Sequence, residues 1–577
     1  MKFKVFDVET FMTDDISTNW SNIYAIGLYD GKNAWVLKDE NKDNDYFIEN
    51  FLNQLENKDI IYAHNGGKFD FRFILDFLDN RGIKKRLLII NGRVVKLKFR
   101  YNKNRLEFRD SFSILPTSLA RLTKDFNVEH QKLKMDYKLG IKDPNFDDYF
   151  ANDLKGLYEV LNLSKSLLNK STIASNSLYD FITSSQIETI KNEQIVEDRF
   201  RYGYFGGRTE VFKMLGSDLY YYDVNSLYPY VMLKEYPYPI ANNFSIVAGN
   251  FNPEKLSYWK IEAECPDDLL IPVLPVKRED GELIFPKGRI NGWYYSPEIK
   301  LAIKMGYKIR FIQGYEFKKN GFIFKEYIEK KYLEKKASKG AKREIAKLLM
   351  NSLYGKFGQR RDEQTYVEIS KNEFDRISNE HLYETIAIVG NSYYKIKEKQ
   401  NFYSDFIHPE IAGLVTSYAR TELYEWFLMA GLENVYYCDT DSMIINKEID
   451  AKFIGSEIGQ MKLEANIKEF VALAPKMYSY ISKDDMEVRT RAKGFPYESI
   501  KAFSFNLFWD VLHTGNVEMI NTVYSKPTSF KERNRRHKDK FASAIIVKKG
   551  LKKIYNKRII NDDYSTSPIK LENTNYK

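Results

Sequence analysis

The sequence predicts an α/β protein built from several domains. Its 577 residues suffice for roughly three to five domains with more than one core. Short apolar, β-favouring runs that hold one or two acids occur at 3–10, 219–232 and 435–445. Runs with helical spacing lie between them, the clearest at 347–358. Strands and helices therefore alternate along the chain, as is typical of α/β architecture.

The amino-terminal part of the chain carries acids in three separate stretches. Asp7 and Glu9 lie two apart in a predicted strand, which places both side chains on one face. Asp70 follows a glycine pair and opens an aromatic run with helical spacing. Tyr149 and Asp153 are four residues apart and share one face of a predicted helix. Taken singly, each of these stretches is ordinary, and Asp153 could be a surface acid.

A further acid, Asp223, lies inside the apolar run 219–232. An isolated buried acid is costly unless it is paired or binds a metal. The stretch 226–229, which reads S-L-Y-P, is expected to turn the chain just beyond it. Asp223 is therefore a candidate metal ligand at the end of a strand.

The run 347–358 predicts a helix with one polar face. Lys347, Asn351 and Tyr354 fall at i, i+4 and i+7, while the leucines lie largely off that face. An unbroken helix would add further cations at four-residue intervals, with Gly340 as the point where such a stripe breaks. These cations are Lys335, Lys339 and Arg343. Most cationic stripes are solvated faces, and taken alone this run is an amphipathic helix and nothing more.

Residues 435–445 read V-Y-Y-C-D-T-D-S-M-I-I, two β-favouring runs around a short polar core. The pattern predicts two strands that meet at a tight turn. Asp439 and Asp441 lie two apart, so we expect both carboxylates on one face. Carboxylates this close repel each other unless a cation lies between them, and their oxygens suit Mg²⁺. A solvated hairpin turn is the alternative, but the flanking residues are too apolar and aromatic for it.

Three motifs in this order resemble the polymerase motifs of family B DNA polymerases. They are D-x-x-S-L-Y-P from Asp223, K-x-x-x-N-S-L-Y-G from Lys347 and Y-x-D-T-D from Tyr437. The spellings Y-C-D-T-D-S and N-S-L-Y-G-K-F look most like the protein-primed branch of small phages, adenoviruses and linear plasmids. Lys476 and Tyr478, within P-K-M-Y-S-Y, match the later K-x-Y motif of that family.

The resemblance implies a metal centre for nucleotide addition. Asp223 and Asp441 would hold two Mg²⁺ ions, for which Mn²⁺ can substitute, with Val224 as a further ligand and Asp439 in support. Lys347 would neutralise triphosphate charge. The other nucleotide-binding residues implied are Tyr228, Lys335, Arg343, Asn351 and Tyr354. The DNA-binding residues implied in this half of the chain are Tyr204, Gly206, Gly207, Thr440, Lys476 and Tyr478.

Three of these residues have a more specific role in the resemblance. Tyr228 would lie under the incoming sugar, where its bulk excludes a ribose 2′-hydroxyl. Tyr354 would stack near the nascent base pair. Tyr204 opens Y-F-G-G, which matches the family's Y-x-G-G motif between exonuclease and polymerase. Paired glycines allow close approach of backbone to a phosphate strand, and a plain turn is the alternative.

The amino-terminal acids collectively resemble the D-x-E, N-x-x-x-F-D and Y-x-x-x-D motifs of the DEDD-type 3′–5′ exonuclease that precedes family B polymerase domains. Tyr149 would orient the attacking water. The family also uses a lysine, for which Lys132 and Lys134 are both candidates. The implied ligands of two further metal ions, about 4 Å apart, are Asp7, Glu9, Asp70 and Asp153. The implied DNA contacts are Asn65 and Phe69. The doubled glycine after Asn65 departs from the Bacillus-phage pattern and leaves the placement of Asn65 open.

The resemblance covers nearly the whole chain and implies an RNase-H-like 3′–5′ exonuclease domain followed by a right-hand polymerase domain. We expect the exonuclease at 1–165, a helical linker with the Y-x-G-G motif at 166–210 and the polymerase at 211–577. The expected polymerase segments are the palm at 211–240 and 406–490, a first insertion at 241–320, the fingers at 321–358, a second insertion at 359–405 and the thumb at 491–577.

The two insertions and the thumb carry the implied partners. In the family the first insertion helps to hold the terminal protein, and the second is a hairpin that clamps the template and aids strand displacement. The thumb is expected to grip duplex phosphates through a basic run, although a basic tail explains roughly the last fifteen residues equally well. Its basic residues are Arg533, Arg535, Arg536, Lys538, Lys540, Lys548, Lys549, Lys552 and Lys553.

Composition is compatible with these expectations. The formal net charge is +10, which permits a polyanionic partner without requiring one. Two cysteines exclude a disulfide framework and a zinc-binding spacing. No apolar run approaches the ~20 residues of a membrane span, and residues 1–10 do not read as a targeting segment. We therefore expect a soluble protein of the cytoplasm, or of the host cytoplasm if viral.

The function predicted is a DNA-directed DNA polymerase with a proofreading exonuclease, which replicates a linear genome by protein priming with strand displacement. Expected partners are primer-template DNA, dNTPs and a terminal protein as primer, with a monomeric enzyme and no membrane. The alternatives are a DNA-binding replication accessory and an exonuclease that lacks polymerase activity. The complete set of acids disfavours both, and D-T-D rather than D-D disfavours a reverse transcriptase.

Overall fold

Two seven-stranded sheets and one five-stranded sheet hold most of the strands in the described part of the chain. The computed structural model describes residues 2–10, 22–90, 93–136, 139–360, 405–524 and 545–571. Between 360 and 405 it also describes 362–369, 372, 375–376, 386–389 and 392–401. None of the helices in these ranges is both long enough and apolar enough to cross a bilayer.

The first seven-stranded sheet comes from the amino-terminal part of the chain. Its strands are β1 (Lys4–Thr10), β2 (Ile23–Tyr29), β3 (Ala34–Lys38), β4 (Ile60–Ala63), β5 (Lys85–Ile90), β6 (Arg93–Tyr101) and β7 (Asn104–Asp110). They lie in the order β3-β2-β1-β4-β7-β6-β5, with β1 parallel to β4 and β4 parallel to β7, and all other neighbours antiparallel. Strand β1 is thus central, which places Asp7 and Glu9 in the middle of the sheet.

Two helices cover each face of this sheet. They are α1 (Asn44–Leu52), α2 (Phe71–Asn80), α3 (Leu119–Asp125) and α4 (Phe146–Leu163). Phe6 of β1 packs against Phe51 and α2 on one face, and Val5 packs in the cluster of α3 and α4 on the other. Successive side chains of a strand point to opposite faces of the sheet, and here the side chains on both faces are buried. The sheet is therefore the middle layer of three.

A helical segment joins this unit to the second sheet. It contains α5 (Ile173–Ser185) and α6 (Gln194–Arg201), followed by β8 (Thr209–Val211), β9 (Leu215–Val224) and α7 (Leu227–Val231). Ser226 lies between β9 and α7 with φ +57°. This left-handed residue makes the turn that the sequence predicted just after Asp223.

Residues 236–321 form mainly strands. These are β10 (Tyr236–Pro237), β11 (Phe244–Val247), β12 (Ser257–Cys265), β13 (Val276–Lys277), β14 (Leu283–Ile284), β15 (Lys287–Tyr295), β16 (Lys308–Phe317) and β17 (Asn320–Gly321), with the helix α8 (Ser296–Lys304) after β15. Strands β11, β16, β12 and β15 are neighbours in the five-stranded sheet. Aromatic side chains pack on both of its faces, Tyr258 against Tyr295 on one and Trp259 against Phe311 on the other.

Two antiparallel helices follow, α9 (Lys325–Ala337) and α10 (Gly340–Phe357). Gly340 has φ +55°, which only glycine adopts readily, and the chain reverses there. The cationic stripe is therefore broken at the predicted point. Beyond α10 a three-stranded antiparallel sheet contains β18 (Asp362–Ile369), β19 (Ile386–Val389) and β20 (Ser392–Asn401).

The second seven-stranded sheet is completed by strands far along the chain. After α11 (Pro409–Ala430) come β21 (Val435–Asp439), β22 (Ser442–Ile445), β23 (Met461–Ala474), β24 (Met477–Ser482) and β25 (Val488–Ala492). The order is β25-β24-β23-β9-β22-β21-β8, and all neighbours are antiparallel. Register sets Asp223 of β9 opposite Ser442 and Lys462. The end of β9 and the β21–β22 turn therefore lie side by side.

The carboxyl-terminal region packs on this sheet and returns to the five-stranded one. It contains α12 (Tyr497–Lys501), α13 (Phe505–Thr514), β26 (Glu518–Tyr524), β27 (Ile545–Leu551), β28 (Arg558–Ile560), β29 (Thr566–Pro568) and β30 (Lys570–Leu571). Short 3₁₀ helices elsewhere are Ser111–Ser113, Gly140–Lys142, Lys165–Leu168, Leu432–Asn434 and Ala451–Phe453. Strand β30 pairs in parallel with β15, so a basic tail is the wrong reading for residues up to 571. The predicted basic residues from Arg533 to Lys540 lie outside the described residues, and the predicted domain boundaries stay predictions.

Candidate active sites and family

The first candidate site forms where β1, α2 and α4 meet. Asp7 and Glu9 come from β1 and Asp153 from α4, and carboxylate oxygens of these three residues lie within 4.8 Å of one another. Asp70 immediately precedes α2 and is buried. The strand spacing and the i, i+4 helix spacing thus bring together the acids that the sequence grouped by motif.

Burial and mutual repulsion disfavour the ionised forms of these acids. Burial, followed by the charges of Asp70, Glu9 and Asp153, holds the pKa of Asp7 well above its usual range. Burial raises the pKa of Glu9 to about 7 and is also the largest cause that raises the pKa of Asp70 to about 7. Ionised carboxylates this close are stabilised by cations between them, so the donor set fits divalent metal ions with a preference for oxygen ligands.

A lysine and a tyrosine complete this first site. Lys132 Nζ donates hydrogen bonds to Asp153 Oδ2 and to the Tyr149 hydroxyl, the latter at 3.2 Å. The Tyr149 hydroxyl donates in turn to Glu9 Oε1 at 2.9 Å. Lys134 is exposed. Of the two lysines that the sequence left open, Lys132 is therefore the one at the site.

The loop before Asp70 has no room for a side chain at Gly67, the second residue of the doubled glycine. A Cβ atom on Gly67 would lie 2.0 Å from the Val94 carbonyl oxygen, so no side chain fits there. Asn65 takes a left-handed conformation, with φ +68°, and starts the tight turn. Phe69 is half-buried and meets the Phe73 ring edge-on at 5.6 Å between centroids. Contacts of Asn65 and Phe69 with DNA stay predictions.

The second candidate site lies at the end of β9 and the β21–β22 turn. The Val224 N–H donates to the Asp441 carbonyl oxygen, and the Asp441 N–H to that of Asp439, both at 2.7 Å. Thr440 has φ +68°, and its N–H donates to the Arg208 carbonyl oxygen at 2.7 Å. The predicted tight turn is confirmed. The expectation that both acids share one strand face is wrong, because β21 ends at Asp439 and Asp441 belongs to the turn.

The two acids of the turn have different surroundings. Burial raises the pKa of Asp223 to about 7, and the charges of Asp441 and Glu464 add to this shift. Burial also raises the pKa of Asp441, with a further contribution from the charge of Asp439. Lys347 opposes both shifts. Asp439 instead accepts two hydrogen bonds from Lys476 Nζ, at 2.7 and 2.8 Å. Asp223 and Asp441 therefore form the pair that needs a cation, while Asp439 already has one.

Helices α9 and α10 bring their cations to this pair across the turn that joins them rather than along one stripe. Lys335 Nζ donates to Ser226 Oγ at 2.8 Å. Its pKa is lowered, first by burial and then by Arg343 and Lys347 of the facing helix. Three cations therefore converge beside Asp223, which also acts on Lys335. This concentration of positive charge suits an anionic ligand.

Helix α7 contributes a tyrosine, Tyr228, and helix α10 contributes a tyrosine and an amide, Tyr354 and Asn351. The rings of Tyr228 and Tyr354 are stacked, with centroids 5.1 Å apart and planes 9° apart. Burial raises the pKa of Tyr228 to about 12, so this hydroxyl stays protonated at neutral pH. Asn351 Oδ1 is buried, and the described residues offer it no hydrogen-bond partner. An unpaired buried acceptor beside stacked rings suits contact with a polar ligand.

A family model for DNA polymerases of type B, organellar and viral, matches residues 52–146 and 142–454. The chain belongs to this family. A probable DNA polymerase of Neurospora intermedia is 29% identical over 76% of this chain and 54% of its own length. The DNA-directed DNA polymerase of Enterobacteria phage PRD1 is 27% identical over 85% of each chain. The present chain spans about half the length of the first two fungal relatives.

The type B chain also matches solved structures. The phi29 DNA polymerase complexed with primer-template DNA and incoming nucleotide superposes with a TM-score of 0.75, at 20% identity, over 96% of this chain and 100% of that one. The same polymerase complexed with single-stranded DNA gives 0.72. These matches confirm the predicted fold class, an exonuclease unit followed by a right-hand polymerase. The family B resemblance predicted from the motifs is confirmed as well.

The Y-x-G-G loop of this type B chain is held by an arginine that the sequence did not single out. Arg420 of α11 is buried, pairs with the buried Glu298 at 2.8 Å and donates to the carbonyl oxygens of Phe205 and Gly206, both at 2.8 Å. Nothing in the sequence separates this arginine from a surface one, since its partners lie far away along the chain.

The K-x-Y motif supports the β21–β22 turn from the other side. Lys476 has φ +61°, and its N–H donates to the Tyr437 hydroxyl at 3.0 Å. The Tyr478 ring is buried and lies 5.0 Å from the Tyr437 ring. Tyr478 therefore packs beneath the turn, whereas Lys476 is exposed and reaches Asp439. The predicted contacts of both residues with DNA stay predictions.

Proposed function

We propose that this chain is a DNA-directed DNA polymerase with a separate 3′–5′ exonuclease centre. One observation carries the proposal: a chain of the type B family holds two distinct acid centres, each with its own lysine in place. Asp7 and Asp153 mark the first, together with Lys132, and Asp223 and Asp441 mark the second. Neither centre has lost an acid, so both activities fit the side chains present.

In the polymerase centre, the chain supplies charge and position. The carboxylates of Asp223 and Asp441 and the main chain of Val224 would hold Mg²⁺ ions. Bound metal would activate the primer hydroxyl and stabilise the charge that develops on the transferred phosphoryl group. Lys335 and Lys347 approach from the fingers, where their ammonium groups neutralise the triphosphate. These roles depend on positioning and electrostatics, which dominate phosphoryl transfer.

In the exonuclease centre, Tyr149 and Lys132 organise the attack. The hydroxyl of Tyr149 lies between Glu9 and Lys132, so it is fixed by one acceptor and one donor. A hydroxyl held in this way can orient a water molecule for attack on a terminal phosphodiester. Mg²⁺ bound by Asp7, Glu9, Asp70 and Asp153 would supply the charge that the leaving oxygen needs.

The natural partners that follow are primer-template DNA and dNTPs, with a terminal protein as primer. The phi29 relative is complexed with primer-template DNA and incoming nucleotide. The sheet within 244–317 and the hairpin strands within 362–401 lie where the family resemblance puts its two insertions. We therefore assign protein priming to the first and strand displacement to the second.

Single-nucleotide incorporation and digestion of single-stranded DNA by matched variants test the two centres separately. Asp441→Asn should lower incorporation by several orders of magnitude and leave digestion near the wild-type rate. Asp7→Ala combined with Glu9→Ala should stop digestion and leave incorporation. Asp450→Asn, which changes an exposed acid, is the control for both. Normal incorporation by Asp441→Asn, or normal digestion by the double variant, would show that the centre concerned is misassigned.

Protein priming needs its own assay. A candidate terminal protein is incubated with the chain, Mg²⁺ and a labelled dNTP, in parallel with extension of a DNA primer. Covalent label on the protein that depends on Asp441 supports protein priming. Primer extension without any labelling of the encoded candidate proteins would leave a polymerase that starts from DNA primers.

A further inference from the structure

The amino end of the fingers helix α10 lies against the exonuclease side of the molecule. The N–H groups of its first turn need acceptors from outside the helix, and the side chain of Lys339, the residue just before the helix, caps none of them. Asp125, the last residue of α3, fills this role: its Oδ2 accepts a hydrogen bond from the Ala341 N–H at 2.6 Å. A helix of one part of the molecule is thus capped by a carboxylate from another.

The contact is built closely enough to exclude other residues. A Cβ atom on Gly340 would lie 2.3 to 2.5 Å from the carboxyl carbon and oxygens of Asp125. The φ of +55° at Gly340 also disfavours any side chain. Arg121 of α3 holds the same carboxylate, with Nε 3.3 Å from Oδ2. Asp125 is therefore fixed on one side and seated on the helix terminus on the other.

Apolar contacts extend the junction along α10. Ala341, Ile345 and Leu349 lie in the same buried cluster as Leu122 of α3. Lys342 places its ammonium 5.2 Å from the centre of the Phe126 ring. The face of α10 that meets the exonuclease unit is thus continuous over more than two turns of helix.

The same helix carries the groups that face the incoming nucleotide. Lys347, Asn351 and Tyr354 follow Ala341 on one rigid element, so a shift at the helix terminus moves all three. We propose that Asp125 is a positioning residue for nucleotide binding, which holds α10 in its binding-competent place from the exonuclease side. The proposal rests on the proposed polymerase function, and it adds a residue that touches neither substrate nor metal.

Loss of the cap raises the fraction of chains in which α10 is displaced, and the apparent affinity for nucleotide falls by that fraction. Asp125→Ala should therefore raise the KM for dNTP about three- to thirtyfold, the range expected from the loss of one helix cap, with kcat changed less than twofold. Asp125→Asn keeps an acceptor oxygen and should recover most of the loss. Digestion of single-stranded DNA should be unchanged.

Two further variants separate positioning from general destabilisation. Asp43→Ala removes the N-cap of α1, on the opposite face of the exonuclease sheet, where Asp43 accepts from the Tyr46 N–H at 2.8 Å. It should leave the KM for dNTP unchanged. Gly340→Ala strains the same junction from the other partner and should raise KM, and its effect should shrink when Asp125 is already alanine.

Hydrogen exchange of the free protein gives a readout that does not depend on activity. In Asp125→Ala the amide of Ala341 and its first-turn neighbours should exchange faster, while amides at 347–354 stay protected. Unchanged exchange there, or an unchanged KM in both Asp125→Ala and Gly340→Ala, would overturn the proposal. A wild-type chain that incorporates no nucleotide would instead overturn the polymerase function. The exchange experiment would still show whether Asp125 holds the amino end of α10 in place.

Discussion

The two glycines of the Y-x-G-G loop are equivalent in the motif but occupy different surroundings. A Cβ atom on Gly207 would lie 2.9 Å from Thr440 Cγ2 and 3.0 Å from the Tyr228 hydroxyl. A Cβ atom on Gly206 would meet no atom within 4 Å. Gly207→Ala should therefore disturb the polymerase centre, and Gly206→Ala should not disturb the free protein.

The size of the effect follows from what must move. Thr440 is a short side chain in a left-handed turn between the two aspartates, and Tyr228 is stacked on Tyr354, so neither can swing aside freely. Overpacking of such a site typically costs about 1–3 kcal/mol of unfolding free energy. A misplacement of about 1 Å at a reacting centre can cost about a hundredfold in rate, so a shift of a few tenths of an ångström predicts about tenfold.

The assay pairs urea denaturation with single-turnover incorporation at saturating primer-template. Gly207→Ala should unfold at lower urea and incorporate dNTP about tenfold more slowly, while its digestion of single-stranded DNA stays normal. Gly206→Ala should match the wild type in stability, and any loss it shows should be in DNA affinity. Equal incorporation rates for Gly207→Ala and the wild type would refute the reasoning from steric contact.

Three further predictions concern single side chains. Lys132→Ala should slow digestion of single-stranded DNA about 10- to 100-fold, since charge-assisted hydrogen bonds contribute about 1.5–3 kcal/mol, whereas Lys134→Ala should digest normally. Tyr228→Val should reduce the preference for dGTP over GTP opposite template cytosine, measured as the ratio of the two kcat/KM values. The wild-type ratio should be about a hundred or more. An unchanged ratio would assign sugar selection to another side chain. Arg420→Met should lower the unfolding free energy by about 3–5 kcal/mol, because it leaves the buried carboxylate of Glu298 unpaired. Lys304→Met, which breaks the exposed pair with Glu425, should change the unfolding free energy little. Urea denaturation of both variants checks this, and equal stabilities would contradict it.

Local patterns predicted the elements that carry the acids. Asp223 and Asp7 lie in strands because β-favouring residues surround them, and Lys347 lies on a helix because its neighbours repeat with helical spacing. These features depend on residues close in sequence. The same reasoning was wrong where one residue departs from regular geometry: Thr440, with φ +68°, moves Asp441 out of the strand.

Long-range contacts decided what the sequence left open. Lys132 and Lys134 lie two residues apart and differ little in local pattern. Lys132 reaches the site because Asn152 of α4 donates to the Gln131 carbonyl oxygen at 2.9 Å and so fixes the segment on the helix. The role of Arg420 likewise depends on contacts with residues far away along the chain, because its burial follows from packing between elements. No pattern of neighbouring residues encodes such contacts.

The pairing of distant strands in the second sheet has a consequence for how the molecule assembles on the ribosome. The neighbours of β1 lie within residues 23–63, so β1 finds both of its partners in a short segment that follows it directly. Strand β9 ends at Val224, whereas its neighbours start at Ser442 and Met461. The nascent chain must therefore keep β9 unpaired while residues 225–441 are synthesised, and closing so large a loop is slow. Aromatic residues of β9 stay open to chaperones and to aggregation during that interval, which favours slow synthesis at low temperature for recovery of the whole protein.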